Sequence, residues 1–263
     1  MLLNNNILSK IKKTDENNDI NNKVITVLSS RSGIGTTFIS LNLAYTISQY
    51  TIKPTLFIDL DYTRPDATLF FADEKHKGID DLIPILSSLN SNSLNNDILS
   101  NYITNYKKLN FLFGSEIKDK SLFEGMSSKL INTAKSNYSY IIVDSGNIFD
   151  ISLLSNSDFI LIIVDQNVSV ISETLDKLEF MSDDIKSKIY VIINKYSNDI
   201  VFKVKDIKAL FEKFKLLATI SNIGEEALNS MYNRNFFYGS KDKKYKTISN
   251  ELEGVAKYLI ENV

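Results

Sequence analysis

Residues 29 to 40, "SSRSGIGTTFIS", come close to a phosphate-binding loop and depart from it at one position. The usual pattern is GxxxxGK[ST], in which the Lys reaches the β- and γ-phosphates and the next hydroxyl holds Mg²⁺. On that pattern Gly35 is the second glycine, Thr36 stands where the Lys belongs, and Thr37 supplies the hydroxyl. Gly33 and Gly35 allow a turn tight enough to point backbone N–H groups inward, and a helix beginning there would bring its positive dipole end to the same spot. Ser32, Gly33, Ile34, Gly35, Thr36 and Thr37 are therefore candidates to bind an anion. An ordinary glycine-containing turn between a strand and a helix has the same spelling.

Three further segments put a polar residue at the end of an apolar run. In "LFIDLDYTRPD", Asp59 and Asp61 follow such a run, and two carboxylates at that edge of a parallel sheet could orient Mg²⁺ and an attacking water. Asp followed by Arg-Pro is also good turn chemistry. "SYIIVDSG" is apolar until Asp144, the place of the acid that holds the magnesium shell in phosphate-loop enzymes, although buried strands ending in Asp are common. "YVIINKYS" carries Asn194, whose amide could pair with a base edge through its donor and acceptor. His76, the single histidine, sits in "DEKHKG" and reads as a solvated loop residue, so no histidine pair can hold a metal.

The elements that would position these residues alternate along the chain. Apolar runs occur at 24–28, 55–59, 109–113, 140–144, 159–164, 189–194 and 216–220. Several are apolar at successive positions, as strands buried on both faces require. Helical period follows the loop from Thr36 to Gln49, with Ile39, Leu43 and Ile47 on one face, and returns at Val204 to Phe214 and Thr247 to Ile260. Residues 86 to 108 read as a loop plus a helix at one edge. The expected fold is α/β, a doubly wound, mostly parallel sheet with helices on both faces. One domain, residues 23–263, is expected after a polar, Asn-rich flexible arm at 1–22.

Composition narrows the chemistry. Of 263 residues, 43% are hydrophobic and 24% charged, enough for a sizeable core. Thirty Lys plus Arg against 32 Asp plus Glu leave a net charge of -2, which gives no general attraction to nucleic acid or anionic lipid. Without cysteine there is no disulfide, thiolate metal site or thiol catalysis. No run approaches the roughly 18 apolar residues of a membrane span, and "MLLNNNILSKIKK" lacks the order of a signal peptide. The expected location is the cytoplasm, or the membrane periphery through a partner.

In this order, loop, DxD, strand with Asp and strand with Asn, the chain from Lys23 onward resembles the MinD/ParA family of deviant Walker ATPases. Its loops read roughly KGGxGK[ST]T, with a front lysine that reaches the partner subunit's nucleotide. Here Arg31 holds the front position and Ser32 stands where the family has Gly. "GIGTT" with "DLD" is most similar to the pilus-assembly branch, CpaE and TadZ. The resemblance implies ATP and Mg²⁺ as ligands, a homodimer through the nucleotide face, and a role as a localisation or assembly factor of a pilus or secretion machine. An active MinD/ParA-type ATPase positioning DNA or septum components, and a nucleotide-free scaffold, remain open beside it. It further implies that Asp61 activates water, that Arg31 replaces the charge lost at Thr36, that Thr37, Asp59 and Asp144 lie around the metal, and that Asn194 lines the base. Loss of the loop lysine should leave hydrolysis slow or absent, since such contacts contribute about 3 to 4 kcal/mol to the transition state. "DYTRPDATLFF" also resembles bacterial tyrosine kinases, but those keep the loop lysine and a tyrosine-rich tail.

Overall fold

The structure, a computed structural model, describes residues 22–52, 54–71, 76–87, 94–117 and 126–262. Apart from Asn22, the expected N-terminal arm lies outside these residues. Its strands are β1 (Lys23–Ser29), β2 (Thr55–Asp59), β3 (Thr104–Tyr106), β4 (Leu109–Leu112), β5 (Tyr140–Asp144), β6 (Phe159–Val164), β7 (Ile189–Tyr196) and β8 (Lys215–Ser221). They form one sheet in the order β3-β4-β2-β5-β1-β6-β7-β8. Every pairing is parallel except β3 with β4.

The apolar runs divide their side chains between two faces. Ile25, Val27, Phe57, Ile142, Leu161 and Ile163 pack into one core layer, whereas Val24, Leu56, Ile58, Ile141 and Val143 face the opposite one. Leu28, Ile160, Ile162 and Val164 continue that second face under the other half of the sheet. Burial on both faces is why these strands lack polar alternation. Helix α1 (Thr36–Tyr50) lies on the first face and is itself covered by the final helix, so that its residues are buried nearly all round. Its polar members are satisfied locally: Asn42 Nδ2 donates to Phe38 O at 2.9 Å, and Asn42 Oδ1 accepts from the Phe237 amide at 3.1 Å.

Around the sheet run α2 (Asp66–Phe71), α3 (Ile79–Leu86), α4 (Asn96–Ser100), α5 (Met126–Ala134) and α6 (Ile151–Ser155), then α7 (Val168–Glu179), α8 (Asp183–Ser187), α9 (Val204–Leu210), α10 (Glu225–Tyr232) and α11 (Lys246–Glu261). Two local readings need correction. Within 86 to 108 the chain forms β3 as well as a helix, and the second helical candidate stops at Leu210 instead of reaching Phe214. What matters for function is the centre of the sheet. From β1 the chain crosses to β2 beyond β5, and from β5 it crosses to β6 beyond β1, so the two connections part at neighbouring carboxyl ends. This is the topological switch point, where open α/β sheets leave a crevice.

Candidate functional site

The loop between β1 and α1 sits at that crevice, and four of its carbonyls are held by hydrogen bonds. Ser29 Oγ donates to Arg31 O at 2.6 Å, and Lys177 Nζ, from α7, donates to Ser30 O at 2.8 Å. On the other flank Lys195 Nζ reaches Gly33 O at 2.6 Å and Asn194 Nδ2 reaches Ile34 O at 2.8 Å. Gly33 and Gly35 take φ of 82° and 97°, the left-handed region that glycine occupies without a Cβ clash. The amides of Ser32 to Phe38 have no acceptor among the described residues, and all of these residues except Ile34 line the cleft at that crevice. Unpaired amides at the start of a 15-residue helix make a concave site for an anion.

Beside the loop lie the acids. Register pairs Asp59 with Asp144 across β2 and β5, so both carboxylates emerge at one sheet edge, and they are 1% and 0% exposed. Asp59 accepts from the amides of Asp61 at 3.2 Å and Thr68 at 3.3 Å. Burial, with the Asp144 charge alongside, still raises its pKa well above the usual carboxylate range. Asp144 Oδ1 accepts from the Gly146 amide at 3.1 Å. Burial, reinforced by the Asp61 charge, pushes the Asp144 carboxyl up to about 7, against the pull of the nearby Thr37 and Ser40 hydroxyls. Neither hydroxyl makes a hydrogen bond of normal geometry to Oδ2, which has no partner among the described residues. Asp61 turns Oδ1 into its own loop, taking the Thr63 hydroxyl at 2.6 Å and the Arg64 amide at 3.1 Å. Its Oδ2 lies against Gly146, where an added Cβ would stand 2.0 Å away.

Loop and Asp61 open onto a cleft of about 310 Å³. Ser32, Gly33, Gly35, Thr36, Thr37, Asp61, Gly146 and Asn194 line it, so most of the residues picked from the sequence converge there. Opposite them α10 and its preceding loop supply Asn222, Ile223, Ala227, Leu228 and Met231, and Phe38 and Phe70 complete an apolar wall. Asp59 and Asp144 sit behind the lining. Three of the expected residues already have partners within the chain. The Thr36 hydroxyl donates to Ser29 Oγ at 2.9 Å and is buried inside the loop's base. Asn194 spends a donor on Ile34 O, which leaves its Oδ1 for any base. Arg31 is paired with Glu173 of α7, side chain 46% exposed, and does not line the cleft.

Lys177, Lys195, Arg64 and Gly146 escaped the sequence pattern, although Gly146 follows Asp144 by two residues and a glycine there was a usable signal. His76 is exposed, with its ring edge-on to Phe113. Among the described residues no group of three or more His, Asp or Glu side chains forms a metal cage. A magnesium ion does not need one, since it takes one or two carboxylates and completes its shell with waters and phosphate oxygens. The orphaned Asp144 Oδ2, on a carboxyl that burial alone leaves destabilised as an anion, fits that requirement.

No family model matches the chain. An uncharacterized protein of Methanocaldococcus jannaschii is 29% identical over 222 residues, 76% of this chain and 83% of that one. Among solved structures, a ParA family ATPase from Chlorobium tepidum superposes with a TM-score of 0.74 at 20% identity, covering 88% of this chain and 98% of that one. The septum site-determining protein MinD of Pyrococcus horikoshii, solved with Mg-ADP, gives 0.68 at 15% identity over 90% of this chain and 96% of its own. The chain has the ParA/MinD fold, an eight-stranded, mostly parallel sheet with helices on both faces.

Proposed function

We propose that this chain binds ATP with Mg²⁺ in the cleft, dimerises through that face when the nucleotide is bound, and serves as a localisation or assembly factor of a pilus or secretion system with little or no hydrolysis. One observation carries the reading: a loop whose Ser30, Gly33 and Ile34 carbonyls are held by side chains of other elements, and whose amides have no acceptor among the described residues, stands next to a buried carboxylate oxygen without a partner there. The amides of Ser32 to Thr37 would take the polyphosphate. Thr37 and Asp144 would hold the metal with Asp59 behind them, and the ion, when bound, neutralises phosphate charge. Asp61, on the cleft wall, would orient water. The apolar wall of Ala227, Leu228 and Met231 suits a base and ribose.

Slow turnover follows from Thr36, whose hydroxyl is committed to Ser29 and brings no charge to the transferring group. Nucleotide would stabilise the dimer through contacts to the second chain, making the output a binding surface. The pilus assignment rests on the loop spelling "GIGTT" and on "DLD". The placement of Asp61 on the cleft wall favours a second reading, a cycling ATPase of the positioning kind. Calorimetry with ATP and Mg²⁺, phosphate release, and light scattering with and without nucleotide separate the two. We expect binding, Mg²⁺-dependent dimers and negligible turnover. Appreciable turnover that Asp61→Ala abolishes establishes the cycling enzyme, and a complete lack of ATP affinity removes both readings.

A further inference from the structure

Strand β7 ends irregularly, and the irregularity aims a cation at the loop. In a regular strand neighbouring side chains face opposite sides of the sheet. Here the β7–β8 register shifts between Ile193 and Tyr196, and Lys195 adopts φ 52°, left-handed for a non-glycine residue. The alternation is thereby broken, and Asn194 and Lys195 both reach the loop, at Ile34 O and Gly33 O. The Lys195 stem crosses Gly35, with Cε 3.9 Å from the point where a Cβ on that glycine would stand. A bulge next to a site is a usual device for re-aiming a side chain, and a strained non-glycine residue persists only where its surroundings hold it.

The other cations near the crevice have partners of their own, although Arg64 and its partner Asp66 line the cleft as well. Arg31 is paired with Glu173 outside the cleft, Lys177 holds Ser30 O from α7, and Arg64 pairs with Asp66 at 3.0 Å. Lys195 lines the cleft, and its one carbonyl partner occupies one of the three donors of an ammonium group. We propose that Lys195 supplies, from the sheet side, the positive charge toward a polyphosphate that Thr36 does not, and that it holds the loop open by the same group. This inference rests on the reading of the cleft as a polyphosphate site. Charge-assisted hydrogen bonds of this kind correspond to roughly 10- to 100-fold in affinity.

The test measures dissociation constants for ATP and for inorganic tripolyphosphate, at low and moderate salt, in the full chain. Lys195→Gln keeps an N–H donor for Gly33 O but removes the charge, Lys195→Arg keeps the charge, and Lys195→Gly relieves the left-handed backbone. We expect Lys195→Gln and Lys195→Gly to fold as the parent does by circular dichroism, to bind both ligands about tenfold or more weakly, and to lose part of the salt dependence. Lys195→Arg should stay within about threefold of the parent. A Lys195→Gln protein that matches the parent, or an arginine variant as weak as the glutamine one, overturns the charge role. If the parent binds tripolyphosphate but not ATP, the nucleotide reading fails while Lys195 is still tested on tripolyphosphate. If it binds neither, both fall.

Discussion

Asp144 concentrates the energetic tension of the site. Its carboxyl titrates at about 7 in the folded protein against 3.8 for the unperturbed group, because burial disfavours the charge. Between those values the native state holds more protons than the unfolded chain. The stability this contributes is fully present below the lower value and is lost as pH rises through the upper one. In the absence of ligand the protein should therefore melt higher at about pH 5.5 than at about pH 8. Asp144→Asn should reduce that difference to the share that the raised Asp59 carboxyl contributes and raise the melting temperature at the higher pH by several degrees, while abolishing any gain in ATP affinity from Mg²⁺. A scanning fluorimetry series in pH, paired with titrations with and without Mg²⁺, checks both halves; an unchanged pH profile would show that Asp144 is not the group responsible. Gly35 is the second sensitive residue. A Cβ there would stand 2.3 Å from Asn194 Nδ2, at φ 97°. Gly35→Ala should cost about 1 to 3 kcal/mol in urea unfolding and remove anion binding, since the loop would have to swing away from the amide that fixes it.

At the level of elements, α1 and α11 form the layer that keeps the loop's helix in place. Leu252 of α11 is 1% exposed in the core layer that also contains Ile39, Leu43 and Ile47. Leu252→Ala should lower stability by about 2 to 5 kcal/mol in denaturant titration, with ligand affinity of the folded fraction unchanged. A loss of affinity without loss of stability would mean that α11 acts on the site some other way. The strands were legible where burial writes them plainly: "FILIIV" and "YIIVD" are apolar on both faces and become β6 and β5 with the expected limits. Strand β3 escaped notice because Thr104–Tyr106 is a three-residue antiparallel edge, half exposed, with no apolar run to mark it. The acids were legible because parallel strands end together at one edge. The clamps on the loop were not. Lys195 reaches Gly33 only through a left-handed residue, and Lys177 reaches Ser30 from a helix 147 positions away in sequence, neither of which spacing can reveal. Sequence likewise places Arg31 beside the site but says nothing of Glu173, which holds it.

For the whole molecule, the carboxyl edge of the sheet bears apolar side chains that the monomer leaves uncovered. Ile151, Val168 and Val201 follow β5, β6 and β7 and are 52%, 59% and 90% exposed. They rise on the same edge as the loop, and Val168 opens the helix that carries Glu173, the partner of Arg31. If nucleotide joins two copies through this face, these residues become buried, and a charge placed among them would be desolvated without a partner, a loss of several kcal/mol at an interface. Val168 does not line the cleft, so a change there separates dimerisation from ligand binding. Val168→Arg should remain monomeric in light scattering at ATP and Mg²⁺ concentrations that dimerise the parent, and should bind ATP with the parent's affinity at protein concentrations too low for dimers. A variant that dimerises as readily as the parent would place the interface on another surface, and Arg31, tied to the same edge, could then have no role across it.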